Sequence, residues 1–409
     1  MKYILIRALT LPFAYLPYPA IHAAGRGLGT LCYHLFPTFR KRTLSNLSLS
    51  NLHLSEKELK TTARRSFQNL LITCCEYPKL DKETDIHRIA TCDNPDEASA
   101  LLKQGKGLIF FCGHQANWEL LFLEGTSRMP GVAVGRPIKN KALYDWILSI
   151  REKFGGAILT PQNAIKEGLR ALKKGLFLGV VGDQGMPNSG YSSPFLGRRA
   201  WTSPMPALLS YRTGAPLITA TTHRENGRYR IHYSPPIFPN QEAPQTEEID
   251  RMMRHALAYL EQDIAQHPDQ WLWQHNRWKQ QTADRLKRPF RQEAIYIVLP
   301  DDPELFKHLP SLRKIYPYEF LTLMVPESCK NAVHLEDAEI LTYTTLPETL
   351  LRDYRFKLVF DFAGYKPLRR HFLKLSAFNV FTLDDLKALA PDAKDYSELF
   401  TTAMMREHA

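Results

Sequence analysis

The chain lacks most of the features that mark channels, secreted disulfide proteins and nucleotide-binding enzymes. Outside the N-terminus it has no run of 18 strongly apolar residues, which excludes a polytopic membrane protein. Its six cysteines form no C-x-x-C pair and no zinc spacing, which indicates a reducing compartment rather than a disulfide framework. It has no H-E-x-x-H pair, P-loop, G-x-G-x-x-G or G-x-S-x-G motif, so we expect neither a metal nor a cofactor.

What the chain has in excess is positive charge. It contains 53 Lys and Arg against 42 Asp and Glu, a formal net charge of +11 over 409 residues. This excess favours polyanionic partners: nucleic acid, an anionic membrane surface, or phosphorylated or acidic substrates. A hydrophobic content of 44% is that of a globular protein, and the length suits two or three domains.

The N-terminal segment is the most apolar part of the sequence. Residues 8–25 carry no formally charged side chain, but Pro12, Pro17 and Pro19 interrupt helix continuity. We expect residues 1–40 to anchor the protein, either as a single membrane span or as a segment lying in the interface. A cleaved signal peptide and a buried helical hairpin are the alternatives.

From residue 107 onward, strand-like and helix-like segments alternate. Residues 107–112 form a short continuous apolar run, typical of a strand buried on both faces. Asn226-Gly227 predicts a two-residue hairpin, and residues 248–266 carry an apolar stripe at helical spacing. These patterns predict an α/β fold in which a mixed sheet is flanked by helices.

A polar, highly charged stretch after Trp278 is typical of a linker. It divides the chain into a membrane-anchoring segment over 1–40, a main α/β domain over 41–280, and a small α/β C-terminal module of unknown role over 287–409. Because the linker is polar, we expect few packing contacts to cross it.

The stretch that indicates a catalytic site follows the first buried strand and reads Gly113-His114-Gln115-Ala116-Asn117-Trp118-Glu119. Ligands of open α/β sheets bind at the carboxyl ends of the strands. If His114 lies in the turn and Glu119 in the next helical turn, the carboxylate can fold back to the imidazole. Such a pair suits a general base, because the carboxylate fixes the tautomer and stabilises the imidazolium. A structural histidine is the plain alternative.

Four ordered motifs resemble those of the late acyltransferases of lipid A biosynthesis, the lauroyl and myristoyl branch of the HxxxxD/E acyltransferase superfamily. They are His114 to Glu119; Gly135-Arg136-Pro137 with Asn140, Arg151 and Gly155; Gly182-Asp183-Gln184 with Phe195-Leu196-Gly197; and Pro268 to Trp278. The resemblance covers about residues 1–280 and implies that 41–280 is an acyltransferase domain with a glycerolipid-acyltransferase-like fold.

The resemblance implies transfer of a fatty acyl chain from an acyl carrier protein thioester to the 3-hydroxyl of a hydroxyacyl chain on a Kdo-bearing lipid A precursor. The enzyme would act at the inner membrane with its catalytic domain facing the cytoplasm. Its partners would be acyl carrier protein, the glycolipid and the membrane, and not nucleic acid. Acyl transfer to a glycerophospholipid or another glycolipid, and an inactive envelope-assembly scaffold, are the alternatives.

Carried over by position, the resemblance implies that His114 is the general base and Glu119 its partner. It implies that Arg136 stabilises the thioester oxyanion or binds a phosphate. Asp183 belongs to the site, in either a binding or a structural role.

Two further motif positions, Asn117 and Arg151, are candidate substrate-binding residues, with packing or N-capping as the competing account of Asn117. At Gln115-Ala116 the chain departs from the family, which more often has glycine at the second position, and this leaves the fine geometry of the loop open. Three tryptophans near the end of the resemblance either face the bilayer interface or pack in the core: Trp271, Trp273 and Trp278.

Overall fold

The computed structural model describes residues 2–406. Its helices are α1 (Lys2–Thr10), α2 (Tyr18–Leu35), α3 (Pro37–Leu49), α4 (Glu56–Leu80), α5 (Asp96–Lys103), α6 (Glu119–Arg128), α7 (Lys141–Arg151), α8 (Ala164–Lys173), α9 (Met205–Thr213), α10 (Gln245–Gln266), α11 (Pro303–His308), α12 (Pro310–Ile315), α13 (Pro367–Lys374), α14 (Leu383–Leu389) and α15 (Tyr396–Met404). Its strands are β1 (Ala90–Cys92), β2 (Leu108–Cys112), β3 (Gly131–Val134), β4 (Ala157–Leu159), β5 (Phe177–Val181), β6 (Ser192–Phe195), β7 (Arg198–Trp201), β8 (Leu217–Glu225), β9 (Arg228–Tyr233), β10 (Ala294–Val298), β11 (Phe320–Pro326), β12 (Glu339–Tyr343), β13 (Leu358–Asp361) and β14 (Asn379–Thr382).

The chain divides into two compact units. The first comprises Met1–Leu35 and Lys60–Trp273, and the second Phe36–Leu59 and Gln274–Ala409. These units are defined by which residues pack together. The three parts expected from the sequence were defined by their roles, and those roles stay predictions. Met1 of the predicted anchor and residues 407–409 of the predicted C-terminal module lie outside the described residues.

The first unit is built on a seven-stranded sheet in the order β1-β9-β8-β2-β5-β3-β4. β8 and β9 pair antiparallel and β1 runs parallel to β9, so β1 and β9 oppose the other five strands. Helices alternate with most of the strands along the chain. The predicted α/β class with a mixed sheet is confirmed.

The sequence patterns account for the elements at the centre of this unit. All five residues of β2 are buried, as the continuous apolar run predicts. The hairpin between β8 and β9 turns at Asn226 and Gly227, whose φ angles of 49° and 80° are those of the predicted tight turn. The apolar stripe of α10 is buried along its length: Ile249, Met253, Leu257, Leu260 and Ile264.

Helix α2 lies directly against α4. A Cβ atom at Gly25 would lie 2.6 Å from Ile72 Cγ1, and one at Gly29 would lie 2.3 Å from Gln68 Cα. Only glycine permits so close an approach of the two backbones. The prolines noted in the sequence fall where α1 gives way to a 3₁₀ turn over Leu11–Ala14 and where α2 begins.

None of the helices described between residues 2 and 406 combines the length and the apolar character of a membrane span.

The second unit contains a five-stranded, wholly parallel sheet in the order β12-β11-β10-β13-β14. Helix α3 belongs to this unit. Ser45 Oγ donates to the carbonyl oxygen of Arg355 at 2.6 Å, and the buried Lys357 donates to Asn46 Oδ1 at 3.0 Å. The expectation that few contacts cross the linker is therefore wrong, because a helix that precedes the main sheet supplies partners for residues that follow it.

Candidate active site

Two neighbouring strands of the main sheet lead into a histidine and an aspartate. β2 and β5 run parallel, and their register pairs Cys112 with Val181. His114 follows Cys112 by two residues and Asp183 follows Val181 by two. The shared register thus carries both side chains to one edge of the sheet, the carboxyl edge, where ligands of open α/β sheets bind.

The imidazole of His114 is held by the carboxylate of Asp183. His114 Nδ1 lies 2.6 Å from Asp183 Oδ1, and the backbone N–H of His114 donates to Asp183 Oδ2 at 2.7 Å. Trp271 Nε1 donates to the same Oδ2 at 2.7 Å. Because an ionised carboxylate only accepts, the ring carries its proton on Nδ1 and presents the lone pair of Nε2. The Gln184 amide lies 3.3 Å from that nitrogen.

The burial of the pair suits proton transfer. The side chain of Asp183 is fully buried, whereas that of His114 is 15% exposed. Solvent therefore has access to the imidazole but not to the carboxylate that orients it. A carboxylate in this position stabilises the imidazolium that forms when Nε2 takes a proton.

A glycine precedes each member of the pair, and the packing leaves little room for a Cβ atom at either position. A Cβ atom at Gly113 would lie 3.1 Å from Asp183 Oδ2 and 3.0 Å from Leu260 Cδ1. One at Gly182 would lie 2.6 Å from the ring of Phe111. The Gly-His and Gly-Asp dipeptides thus suit the tight packing at the two strand ends.

Glu119 is held by a different group from the one the sequence predicted. Its carboxylate accepts from Arg151 Nε at 2.7 Å and Arg151 Nη2 at 2.6 Å, and from the Tyr77 hydroxyl at 2.6 Å. The predicted partner of the imidazole was Glu119, but the carboxylate on Nδ1 is that of Asp183. The reason is the strand register, since Glu119 begins α6 while Asp183 follows the strand beside β2. Trp118 lies between the two groups: its indole donates to Glu119 at 3.1 Å and packs edge-on to His114.

Electrostatics keep this second carboxylate charged. Burial raises the pKa of Glu119, but the Arg151 guanidinium and the hydrogen bonds from Arg151, Tyr77 and Trp118 outweigh it and hold the pKa below its ordinary value. Burial also raises the pKa of the Tyr77 hydroxyl well above its ordinary value, so the phenol remains a donor. Glu119 and Arg151 thus form a buried, bidentate ion pair.

Asn117 connects the loop between β2 and α6, residues 113–118 and here called the catalytic loop, to helix α4. Its Nδ2 donates to Glu76 Oε2 at 2.7 Å, and its Oδ1 accepts from the backbone N–H of Glu119 at 3.3 Å. Glu76 is itself buried and also accepts from the Tyr229 hydroxyl, at 2.8 Å, and lies 2.6 Å from His22 Nε2. These contacts agree with the packing and capping account of Asn117.

The polar face of α4 was not recognised from the sequence. Four polar residues at helical spacing on α4 hydrogen bond to the loop between β2 and α6 or to the first residue of α6: Asn69, Thr73, Glu76 and Tyr77. The signal was present as a row of polar residues at i, i+4, i+7 and i+8, which lie on one side of a helix. Nothing in the local sequence shows which residues this polar row contacts, so the row could not be connected with the catalytic loop from the sequence alone.

Arg136 follows the end of β3 by two residues, and β3 is the strand on the far side of β5 from β2. Its side chain is exposed and makes no ion pair or hydrogen bond within residues 2–406. The preceding Gly135 is close to the Arg151 guanidinium, since a Cβ atom there would lie 3.4 Å from Nη1. The structure thus leaves the Arg136 charge available at the same edge of the sheet as His114.

The tryptophans near the end of the matched stretch are core residues. Trp271, Trp273 and Trp278 are each 1% exposed or less. The alternative that they face the bilayer interface is therefore wrong. Trp271 has in addition a polar function, because its indole N–H fixes the carboxylate of Asp183.

Residues 2–280 match the sequence model of the family described as "Bacterial lipid A biosynthesis acyltransferase". The chain belongs to this family. The acyltransferase is 25% identical over 272 residues to the lipid A biosynthesis lauroyltransferase of Escherichia coli K12, covering 64% of this chain and 87% of that protein. It is 24% identical over 296 residues to the lipid A biosynthesis palmitoleoyltransferase of the same organism, covering 69% and 90%. The same values relate it to a lipid A biosynthesis acyltransferase of Shigella flexneri.

Membership of the family confirms the acyltransferase class expected from the sequence motifs. The match ends at residue 280, so residues 281–409 of the acyltransferase lie beyond it.

Ala116 adopts a backbone conformation that is unusual for alanine. Ala116 is fully buried and adopts a φ of 43°, in the left-handed region that favours glycine. Its backbone is fixed on both sides, because its N–H donates to Gln270 and its carbonyl accepts from Thr73. The acyltransferase thus places an alanine where the backbone conformation suits glycine.

Replacing Ala116 by glycine should therefore leave the free energy of unfolding unchanged or raise it by up to about 1 kcal/mol, since relief of left-handed strain offsets the added chain entropy. Ala116→Val should lower it by about 2 kcal/mol, because a branched residue is strained there and has no room. Urea unfolding of both variants checks this. Ala133→Gly, in ordinary strand conformation on β3, is the matched control and should lose about 0.5–1 kcal/mol. A loss of that size in Ala116→Gly would contradict the strain argument.

Proposed function

We propose that the enzyme transfers a fatty acyl chain from an acyl carrier protein thioester to the 3-hydroxyl of a hydroxyacyl chain on a Kdo-bearing lipid A precursor. The observation that carries the proposal is the His114–Asp183 pair, at the carboxyl edge of the sheet, in a chain of the lipid A acyltransferase family. The lauroyl and palmitoleoyl groups named for two relatives support a fatty acyl donor.

In this proposal His114 Nε2 takes the proton from the acceptor hydroxyl as the oxygen attacks the thioester carbonyl carbon. The C–O bond forms and the carbonyl oxygen becomes an oxyanion. When the oxyanion collapses, the C–S bond breaks, and the imidazolium returns the proton to the departing thiolate. Asp183 is a positioning residue that keeps Nδ1 protonated and stabilises the imidazolium.

The remaining site residues divide by their contacts. Arg136 is exposed and has no ion pair or hydrogen bond among residues 2–406, and we assign it to the thioester oxyanion or to a phosphate of the acceptor. Asn117 and Arg151 are bonded to buried carboxylates, which supports a positioning role rather than direct substrate contact. Glu119 is likewise a positioning residue: it contacts Asn117, Arg151 and Trp118, and these contacts hold the loop that carries His114.

A membrane surface is the proposed site of action, with the N-terminal helices lying in the interface of the inner membrane and the catalytic domain facing the cytoplasm. Large apolar side chains are exposed along α1, the following turn and α2: Ile4, Leu5, Leu9, Leu11, Tyr15, Leu28, Leu31 and Leu35. Apolar side chains on an otherwise polar surface favour in-plane insertion, and the net charge of +11 adds attraction to anionic lipids.

Flotation with anionic vesicles tests this placement. The Leu5→Glu/Leu9→Glu variant should reduce the vesicle-bound fraction about tenfold or more, because two exposed leucines no longer enter the acyl boundary. Leu389→Glu, at an exposed leucine on α14, is the control and should float like the wild type. Binding of the wild type should persist at high salt, since apolar burial is not screened. Equal flotation of all three proteins would contradict the in-plane placement.

The substrate assignment is tested with purified enzyme and matched pairs of substrates. We expect turnover with an acyl carrier protein thioester and much less with the same acyl chain on coenzyme A, since the basic surface favours the acidic carrier. We expect turnover of a Kdo-bearing precursor and little with a glycerophospholipid. Preference for the glycerophospholipid would support the alternative acceptor, and no turnover with any acceptor would support the inactive scaffold.

A further inference from the structure

Three side chains with no part in the proposed acyl transfer meet near the catalytic loop. His223 lies near the end of β8, Asp263 lies in the last turn of α10, and His267 directly follows that helix. A ligand atom from each, an imidazole nitrogen or a carboxylate oxygen, lies within 4.8 Å of the other two. The two imidazoles are stacked, with ring centroids 4.2 Å apart and planes 7° from parallel.

The polar atoms of this cluster are poorly satisfied by the protein. His223 Nδ1 and His267 Nδ1 are buried, and neither has a hydrogen-bond partner within residues 2–406. The same holds for Gln115 Oε1, while the amide nitrogen of Gln115 donates to Asp263 Oδ2. A buried polar atom left unpaired costs roughly 1–3 kcal/mol. Three lone-pair donors beside a carboxylate are an arrangement that a cation stabilises.

We propose that His223, Asp263 and His267 bind a zinc ion. Two imidazoles and one carboxylate form a donor set typical of zinc, with the fourth position taken by water. A tetrahedral zinc ion with bonds of about 2 Å holds its ligand atoms about 3.4 Å apart. Binding therefore requires the two stacked rings to turn and the ligand atoms, now within 4.8 Å of one another, to close by up to about 1.4 Å. The C-terminal end of α10 adds a favourable negative potential for a cation.

Gln115 connects this zinc site to the catalytic loop. Its hydrogen bond to Asp263 is the kind of outer contact that orients a ligating carboxylate. It is also the residue that follows His114, whose carbonyl oxygen accepts from the backbone of Leu272. The ion would therefore tie the ends of β8 and α10 to the loop that carries the base. The site was not predictable from local spacing, because His223 stands 40 residues before Asp263 in the chain.

The test is zinc titration of the full chain, purified without a histidine tag and dialysed against a chelator. We expect one Zn²⁺ per chain by calorimetry, and with Co²⁺ the visible absorption of a tetrahedral ion. His223→Ala and His267→Ala should each weaken Zn²⁺ binding by about 100-fold or more, and Gln115→Ala by about tenfold. His232→Ala, on the neighbouring strand β9 and outside the cluster, should bind as the wild type does.

Two results would overturn the proposal: a wild-type protein that binds no Zn²⁺, or His223→Ala and His267→Ala variants that bind as tightly as the wild type. Circular dichroism of each variant without metal separates loss of ligand from loss of fold. Should either alanine variant fail to fold, Asp263→Asn removes the charged ligand while keeping its shape. Undiminished Zn²⁺ binding by folded Asp263→Asn would then contradict the site.

Discussion

Replacing His114 by alanine should lower turnover about 10²–10⁴-fold, because the hydroxyl then loses the group that accepts its proton. Asp183→Asn should lose a comparable amount, since an amide can donate to Nδ1 and so remove the lone pair from Nε2. KM should change little in both, because neither group binds the acyl chain. Steady-state kinetics of the two variants and of the wild type provide the measurement.

The double variant distinguishes a functional pair from two independent residues. If Asp183 acts through His114, His114→Ala/Asp183→Asn should be little slower than His114→Ala alone. Gln184→Ala, beside the same imidazole, is the control and should lose far less. Near-wild-type turnover in His114→Ala would contradict the assignment of the base.

Breaking the buried ion pair between Glu119 and Arg151 should have the largest effect on stability. Glu119→Gln leaves the guanidinium without a counter-charge, and we expect the free energy of unfolding to fall by about 3–5 kcal/mol. Arg151→Met should lose a similar amount, and the double variant should lose less than the sum of the two. Urea unfolding at neutral pH measures all three, with the exposed Lys141–Asp145 pair as control, expected to contribute less than about 1 kcal/mol.

The same variant tests the pH dependence. The pKa of Glu119 in the folded protein lies below its ordinary value of 4.5, so its contribution is fully present above that pH and is lost as the pH falls through the folded-state pKa. The difference in the free energy of unfolding between wild type and Glu119→Gln should therefore shrink in acid.

If Glu119 were instead the direct partner of the base, the folded variant would lose turnover about 10²–10⁴-fold with little loss of stability.

The fold was predictable where local patterns decide it. The buried strand β2, the Asn226-Gly227 hairpin and the apolar stripe of α10 each follow from spacing within a few residues. The place of α3 was not predictable, because its partners Arg355 and Lys357 lie some 310 residues later. A helix sequence shows which face is apolar but does not identify the residues that cover it.

The candidate site shows the same limit. His114 was identifiable from its position after a buried strand, and the family resemblance brought in Asp183. Their pairing depends on the register of β2 against β5, two strands separated by 64 residues, and no local spacing encodes it. Glu119 was assigned to the imidazole because it is near in sequence, whereas the fold turns it toward Arg151.

The most direct test of acyl transfer by this site is the position of the new ester in the product. Purified enzyme, an acyl carrier protein thioester and the Kdo-bearing precursor should yield a product heavier by one acyl group. Tandem mass spectrometry should place that group on the 3-hydroxyl of a hydroxyacyl chain, and His114→Ala should form almost none. Transfer to a sugar hydroxyl, release of only free fatty acid, or an equal yield from His114→Ala would contradict the account.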